Sequence, residues 1–192
     1  MSSEGHYELW KEGIHHHDIS ESNLMYYRNA EGVAVGVLND FDISSTRDSD
    51  VLRYNERTGT IQFMAMELLR QPTLDGHKTH EYYHDAESFI WVLAWVTLHH
   101  EHGTRLPRKD RALESLLSLQ PDECSDKKAA FLMTERNVVQ PPPSQQKNWE
   151  VAVICLKMLG LRYAERGGKP IDVVMEEAYK KWLHDVVKDF LD

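Results

Sequence analysis

Cysteine is nearly absent, with only Cys124 and Cys155 in 192 residues. So small a number excludes a disulfide-stapled scaffold. With no signal-type N-terminus, it implies a reduced intracellular protein, cytoplasmic or nuclear, whose thiols are ordinary core or surface residues. Long apolar runs are missing too. The longest, residues 89–98 (F-I-W-V-L-A-W-V-T-L), is about half of what a spanning helix needs, so no membrane partner is expected and the run reads as a buried helix. Positive charge is in deficit, with 22 Lys and Arg against 31 Asp and Glu and a net charge of −9. No basic stripe is visible, which excludes a nucleic-acid surface. Histidines run together at residues 15–17 and around 99–102, but without the spaced Cys/His pairs that specify zinc.

What is present fits one domain with one good-sized core. No internal repeat is visible. Tyr7, Leu9, Trp10 and Ile14 have the periodicity of the last two turns of a helix over residues 7–14, closed by Gly13. Two β-rich runs follow, 23–27 and 33–38, and the R-N-A-E-G between them suits a hairpin turn. Residues 44–57 are polar and read as a mobile surface loop. A short helix is predicted at 64–69. From Asp85 a helix is predicted, with Asp85 as its cap, Glu87 at the positive end of the dipole, and residues 89–98 apolar almost all round. Trp91 and Trp95, one turn apart, are expected to pack in the core. Further helices are predicted at 111–119, 127–133, 149–159 and 173–192, the last with its charges on a solvated face. Residues 140–147 (Q-P-P-P-S-Q-Q-K) form a loop. The fold class expected is mainly α with a small β-hairpin.

Asp18, Asn23 and Asp40 stand out chemically. Phosphoryl transfer needs mostly positioning and charge neutralisation: a carboxylate beside the acceptor hydroxyl, an amide on one metal, and a second carboxylate between metal and phosphates. The five-residue gap lets one loop present Asp18 and Asn23 together, and the hairpin returns Asp40 beside them. Singly, each is also an ordinary turn or capping residue.

Together with R-T-G-T-I-Q-F-M-A-M-E-L-L and H-D-A-E-S-F-I-W-V-L, the strings H-H-D-I-S-E-S-N and N-D-F-D resemble the second half of a eukaryotic protein kinase. The D-I-S, G-T-x-x-F-M-A and D-x-E-S-F-x-x-V-L wording is most similar to the fungal-type protein kinase family. The resemblance implies a partial kinase-like domain over 1–192, a C-terminal lobe without an N-terminal one. Its parts would be a catalytic loop at 16–23, D-F-D at 40–42, an activation segment at 40–67 and a helical body at 85–192. It implies Asp18 as catalytic base, Asn23 and Asp40 as the Mg2+ ligands that also bind ATP, and Thr60 as the threonine that hydrogen-bonds the catalytic loop. Asp85 would brace that loop. Glu67 would pair with an Arg, either Arg162 or Arg166. The implied partner is a protein bearing a Ser or Thr hydroxyl.

Departures from the family pattern matter. His17 replaces the Arg that receives a phosphorylated activation loop, which counts against phosphorylation at Ser45, Thr46 or Ser49. Ser20 replaces a Lys that touches the transferred phosphate. Asp42 and Met66 replace the Gly of D-F-G and the Pro of A-P-E. No Gly-rich loop or strand Lys precedes the catalytic loop, so this chain alone is expected to be inactive, with sticky surface where another lobe would sit. Two other readings remain open. One is a non-catalytic scaffold that binds a protein partner; the other is a small-molecule phosphotransferase, against which the 58–67 segment counts.

Overall fold

The computed structural model describes residues 3–41, 45–46, 60–70 and 80–166, and the side chains of all these except 3–5, 45–46 and 165–166. The molecule is mainly helical with small antiparallel hairpins. The expected helix at 173–192 and most of the expected loop at 44–57 lie outside the described residues.

The centre is helix α3, Tyr82–His99, labelled in chain order with α1 (Ser3–Lys11), α2 (Met66–Leu69), α4 (Pro121–Met133) and α5 (Gln146–Arg166). Being apolar nearly all round, α3 cannot face water on any side, and Ile90, Trp91, Val92, Ala94, Trp95 and Leu98 are all buried. Helix α5 packs along it, while α4 packs on both α5 and α2. Trp91 and Trp95 are core residues, as their helical spacing predicts, and each indole N–H finds a carboxylate. Trp91 Nε1 donates to Glu87 Oε1 (3.0 Å) and Trp95 Nε1 to Glu21 Oε2 (2.9 Å). Cys124 and Cys155 are free and buried, and burial pushes the Cys155 thiol up to about 11. Among the described residues no helix is long and apolar enough to cross a membrane.

The hairpin expected from R-N-A-E-G forms between β2 (Leu24–Arg28) and β3 (Ala34–Leu38), with Leu24 opposite Leu38 and Arg28 opposite Ala34. Asn29 and Gly32 close it. Val33 N donates to Asn29 Oδ1 (2.8 Å), Gly32 N to the Asn29 carbonyl (3.0 Å), and Gly32 takes φ +79°. Two smaller pairs join β1 (Ile14–His15) to β4 (Ser45–Thr46) and β5 (His100–Glu101) to β6 (Thr104–Arg105).

Several expectations need correction. Helix α1 stops at Lys11, and Ile14 instead belongs to β1, where β4 offers its backbone a partner. Gly13 still marks the stop, at φ +83° with its N–H on the Trp10 carbonyl (2.9 Å). Helix α3 begins three residues before Asp85, capped by Glu81 in a reciprocal box with His84, whose Nδ1 accepts from Glu81 N (2.9 Å). Residues 111–119 are not an α-helix. Leu113 sits at φ +65°, which an α-helix cannot contain, and only a 3-10 stretch, Glu114–Ser118, follows it. The helices expected at 127–133 and 149–159 are longer, Pro121 supplying the first-turn proline of α4. The loop at 140–147 ends earlier, since Gln146 and Lys147 open α5. The helix expected at 64–69 is the shorter α2.

Candidate active site

The backbone from His16 to Asn23 is held from several sides. His16 is buried; its Nε2 donates to the Asn39 carbonyl (2.8 Å), its Nδ1 accepts from Asp18 N (3.3 Å), and its ring meets the edge of Phe41 at 4.7 Å. One imidazole therefore ties the H-H-D turn to the D-F-D segment. His17 follows at φ +70°, which a non-glycine residue accepts only when its surroundings fix it. Its ring stacks on His80 at 4.1 Å, and His80 Nε2 lies 2.7 Å from Asp85 Oδ1. Farther along, Glu21 opens the 3-10 turn Glu21–Asn23 and is anchored to α3 through the Trp95 indole.

That scaffold brings Asp18, Asn23 and Thr60 together. Asp18 Oδ1 accepts from Thr60 N (2.8 Å) and Thr60 Oγ1 (2.9 Å). Asn23 Nδ2 donates to Asp18 Oδ2 (3.1 Å) and to the Asp18 carbonyl (2.9 Å). Both carboxylate oxygens are thus oriented by hydrogen bonds from the chain itself. Asn23 is buried, and among the described residues its Oδ1 receives only a long contact from Ser22 Oγ (3.5 Å). Asp40 lies one residue beyond Asn39, whose N–H donates to the Asn23 carbonyl (2.8 Å). It is exposed at φ +63°, with no hydrogen-bond partner among the described residues. An amide oxygen and a carboxylate are the hard oxygen donors that a divalent cation such as magnesium takes, so the donor set fits that ion.

The bracing residues are equally defined. Asp85, 1 % exposed, accepts from His80 at one oxygen and lies 3.1 Å from His6 Nε2 at the other. Burial alone would raise its pKa, but His80 and His6 outweigh it and hold the carboxyl well below the usual range. Asp85 is therefore tied to the 16–23 loop through the His80–His17 stack. Glu67 Oε2 accepts from Tyr83 OH (3.1 Å), and the Arg162 guanidinium lies 4.0 Å over the Tyr83 ring. The Arg162 side chain thus lies in Glu67's neighbourhood; that of Arg166, the other arginine considered, is outside the described residues. Asp42, Ser49 and most of the 40–67 segment are also outside them. Ser20 is buried, with its hydroxyl 2.9 Å from Ser22 Oγ, and so supplies no cation where the family pattern has Lys.

Three contributors went unseen in the sequence. His16 was indistinguishable within a run of three histidines. His80 had one signal, its five-residue spacing from Asp85. Glu87, read as a dipole partner, is wholly buried and accepts from Met66 N (2.9 Å), Trp91 Nε1 (3.0 Å) and Tyr163 OH (2.7 Å). It joins α2, α3 and α5.

Residues 3–97 match the family model described as Fungal protein kinase. No curated protein matches the chain significantly. Over that stretch, which contains Asp18, Asn23, Asp40, Thr60 and Asp85, the chain carries the pattern of the fungal protein kinase family.

Proposed function

We propose that these residues are the catalytic half of a Ser/Thr protein kinase centre, transferring the γ-phosphoryl group of magnesium ATP to a protein hydroxyl in the full-length protein. One observation carries the reading: the Asp18 carboxylate is fixed by Asn23 on one oxygen and by Thr60 on the other. A carboxylate held this way keeps its free lone pairs in a set direction, as a general base must. Asp18 takes the proton of the attacking hydroxyl as its oxygen bonds to the γ-phosphorus and the bond to ADP breaks. Asn23 and Asp40 would hold magnesium, whose charge offsets that of the phosphates. Thr60 keeps Asp18 in register with the segment that receives the protein substrate.

A second reading, a scaffold that binds a protein partner, has its own support. His17 is stacked into the fold instead of reaching outward, and Ser20 is buried without charge. The apolar surface of Met25, Tyr26, Tyr27 and Val33 is also open. Magnesium-dependent ATP binding separates the two, measured by calorimetry on the 192-residue chain and on the full-length protein. The kinase reading predicts binding by the full-length protein that disappears with EDTA; absence of binding there leaves the scaffold reading. Product analysis separates a protein kinase from a small-molecule phosphotransferase, because the latter labels only a small alcohol.

A further inference from the structure

Helix α4 lies outside the stretch that matches the family model, yet one face of it is turned onto the backbone that carries Thr60. Cys124, Ser125 and Lys128 project from that face. Cys124 Sγ donates to the Ile61 carbonyl (3.7 Å), Lys128 Nζ to the Met64 carbonyl (2.6 Å) and Ser125 Oγ to the Met66 carbonyl (3.3 Å). Arg70 Nε in turn donates to Ser125 Oγ (3.3 Å). The 60–66 backbone is a tight turn in which the Thr60 carbonyl accepts from both Phe63 N (2.9 Å) and Met64 N (3.1 Å). The Met64 residue is therefore pinned twice, through its N–H to Thr60 and through its carbonyl to Lys128.

Lys128 is the unusual member. Its side chain is 0 % exposed, no ion pair to it is found among the described residues, and its ammonium sits 4.8 Å over the Trp91 ring. Burial lowers its pKa to about 8, with Cys124 and Glu87 acting weakly in the other direction. Taking a charge out of water for one carbonyl and one ring is costly, and a methionine would fill the same volume without that cost. What methionine cannot do is donate to Met64.

We infer that Lys128 is a positioning residue, holding the Met64 carbonyl from α4 and thereby fixing the turn that presents Thr60 to Asp18. Calling this turn substrate-facing rests on the kinase reading above; the contact and its consequence for Thr60 do not. Helix α4 would then help set the geometry of Asp18 through a buried ammonium, beside the Cys124 and Ser125 contacts to the same backbone.

The test is Lys128→Met in the 192-residue chain, followed by amide hydrogen exchange and denaturant unfolding. Exchange at Thr60, Phe63 and Met64 should quicken by about tenfold, the loss of one buried hydrogen bond. Amides of α3 should be unchanged. The unfolding midpoint at pH 7 should hold or rise, and its advantage over wild type should shrink between pH 8 and 10.5. In that window the unfolded lysine still holds a proton that the folded one has released, so wild-type stability rises with pH there and the variant's does not. This readout needs neither nucleotide nor activity, so it fails independently of the kinase reading. Exchange at those three amides within twofold of wild type would overturn the inference. So would a proportional increase throughout α3, or a variant that does not fold, since either makes Lys128 a general core residue.

Discussion

Asp18 owes its orientation to a small number of short hydrogen bonds, and each can be removed singly. Thr60→Val deletes the hydroxyl bond and leaves the backbone one. In full-length protein it should lower kcat by roughly 10- to 100-fold, the worth of a bond to a charged group, with little change in unfolding midpoint. An equal loss of midpoint and kcat would assign Thr60 to the fold alone. His84 gives a second prediction. Burial drives its pKa from 6.5 to about 3, although Glu67 partly opposes this. The unfolded imidazole binds a proton over that window and the folded one does not, so stability present above pH 6.5 is lost as pH falls. By pH 5 the loss is about 2 kcal/mol, and His84→Asn, which keeps an acceptor for Glu81 N, should remove this share in urea titrations at pH 7 and 5. That Asp18, Asn23 and Thr60 meet was legible because the kinase-like motif order sets Asp and Asn five residues apart and Thr60 against them, and the structure joins the three by hydrogen bonds. The histidines that hold them were not, since imidazole stacking and tautomer depend on partners far apart in sequence.

At the level of elements, the hairpin and the buried helix were legible because their signals are local: a turn that needs Gly32 at positive φ, and a run too apolar to face water. Gly32→Ala tests the first. A Cβ there meets nothing within 4 Å, so the cost is conformational, about 1–2 kcal/mol, and shows in the unfolding midpoint. Boundaries were less legible. The start of α3 is set by Glu81 and His84 because Asp85 is already occupied by His6 and His80. The residues after Arg111 have helical composition but bend at Leu113, whose left-handed backbone ends any α-helix. Glu87 belongs to three elements at once. Glu87→Ala would leave the Met66 N–H, the Trp91 indole N–H and the Tyr163 hydroxyl without their acceptor, costing about 2 kcal/mol or more, and should quicken amide exchange in both α2 and α5.

For the whole molecule, helices α2 to α5 share one hydrophobic core with Ile19, Leu38 and Phe63, and most of the β2–β3 hairpin stands exposed beside it. Tyr26, 71 % exposed, and its neighbours Met25, Tyr27 and Val33 form apolar surface beside the strand that leads to Asp40. Replacing Tyr26 and Tyr27 with Ser should lower binding of a hydrophobic dye by the 192-residue chain and leave its melting temperature unchanged. The central claim is the division of labour between Asp18 and Asp40. It is tested most directly by measuring magnesium ATP affinity and phosphoryl transfer in full-length wild type, Asp18→Asn and Asp40→Asn. Asp18→Asn should bind magnesium ATP within about threefold of wild type yet lose roughly 10²- to 10⁴-fold in kcat, as removal of a general base does. Asp40→Asn should lose both. Phosphoryl transfer within about threefold of the wild-type kcat in either variant would contradict the account.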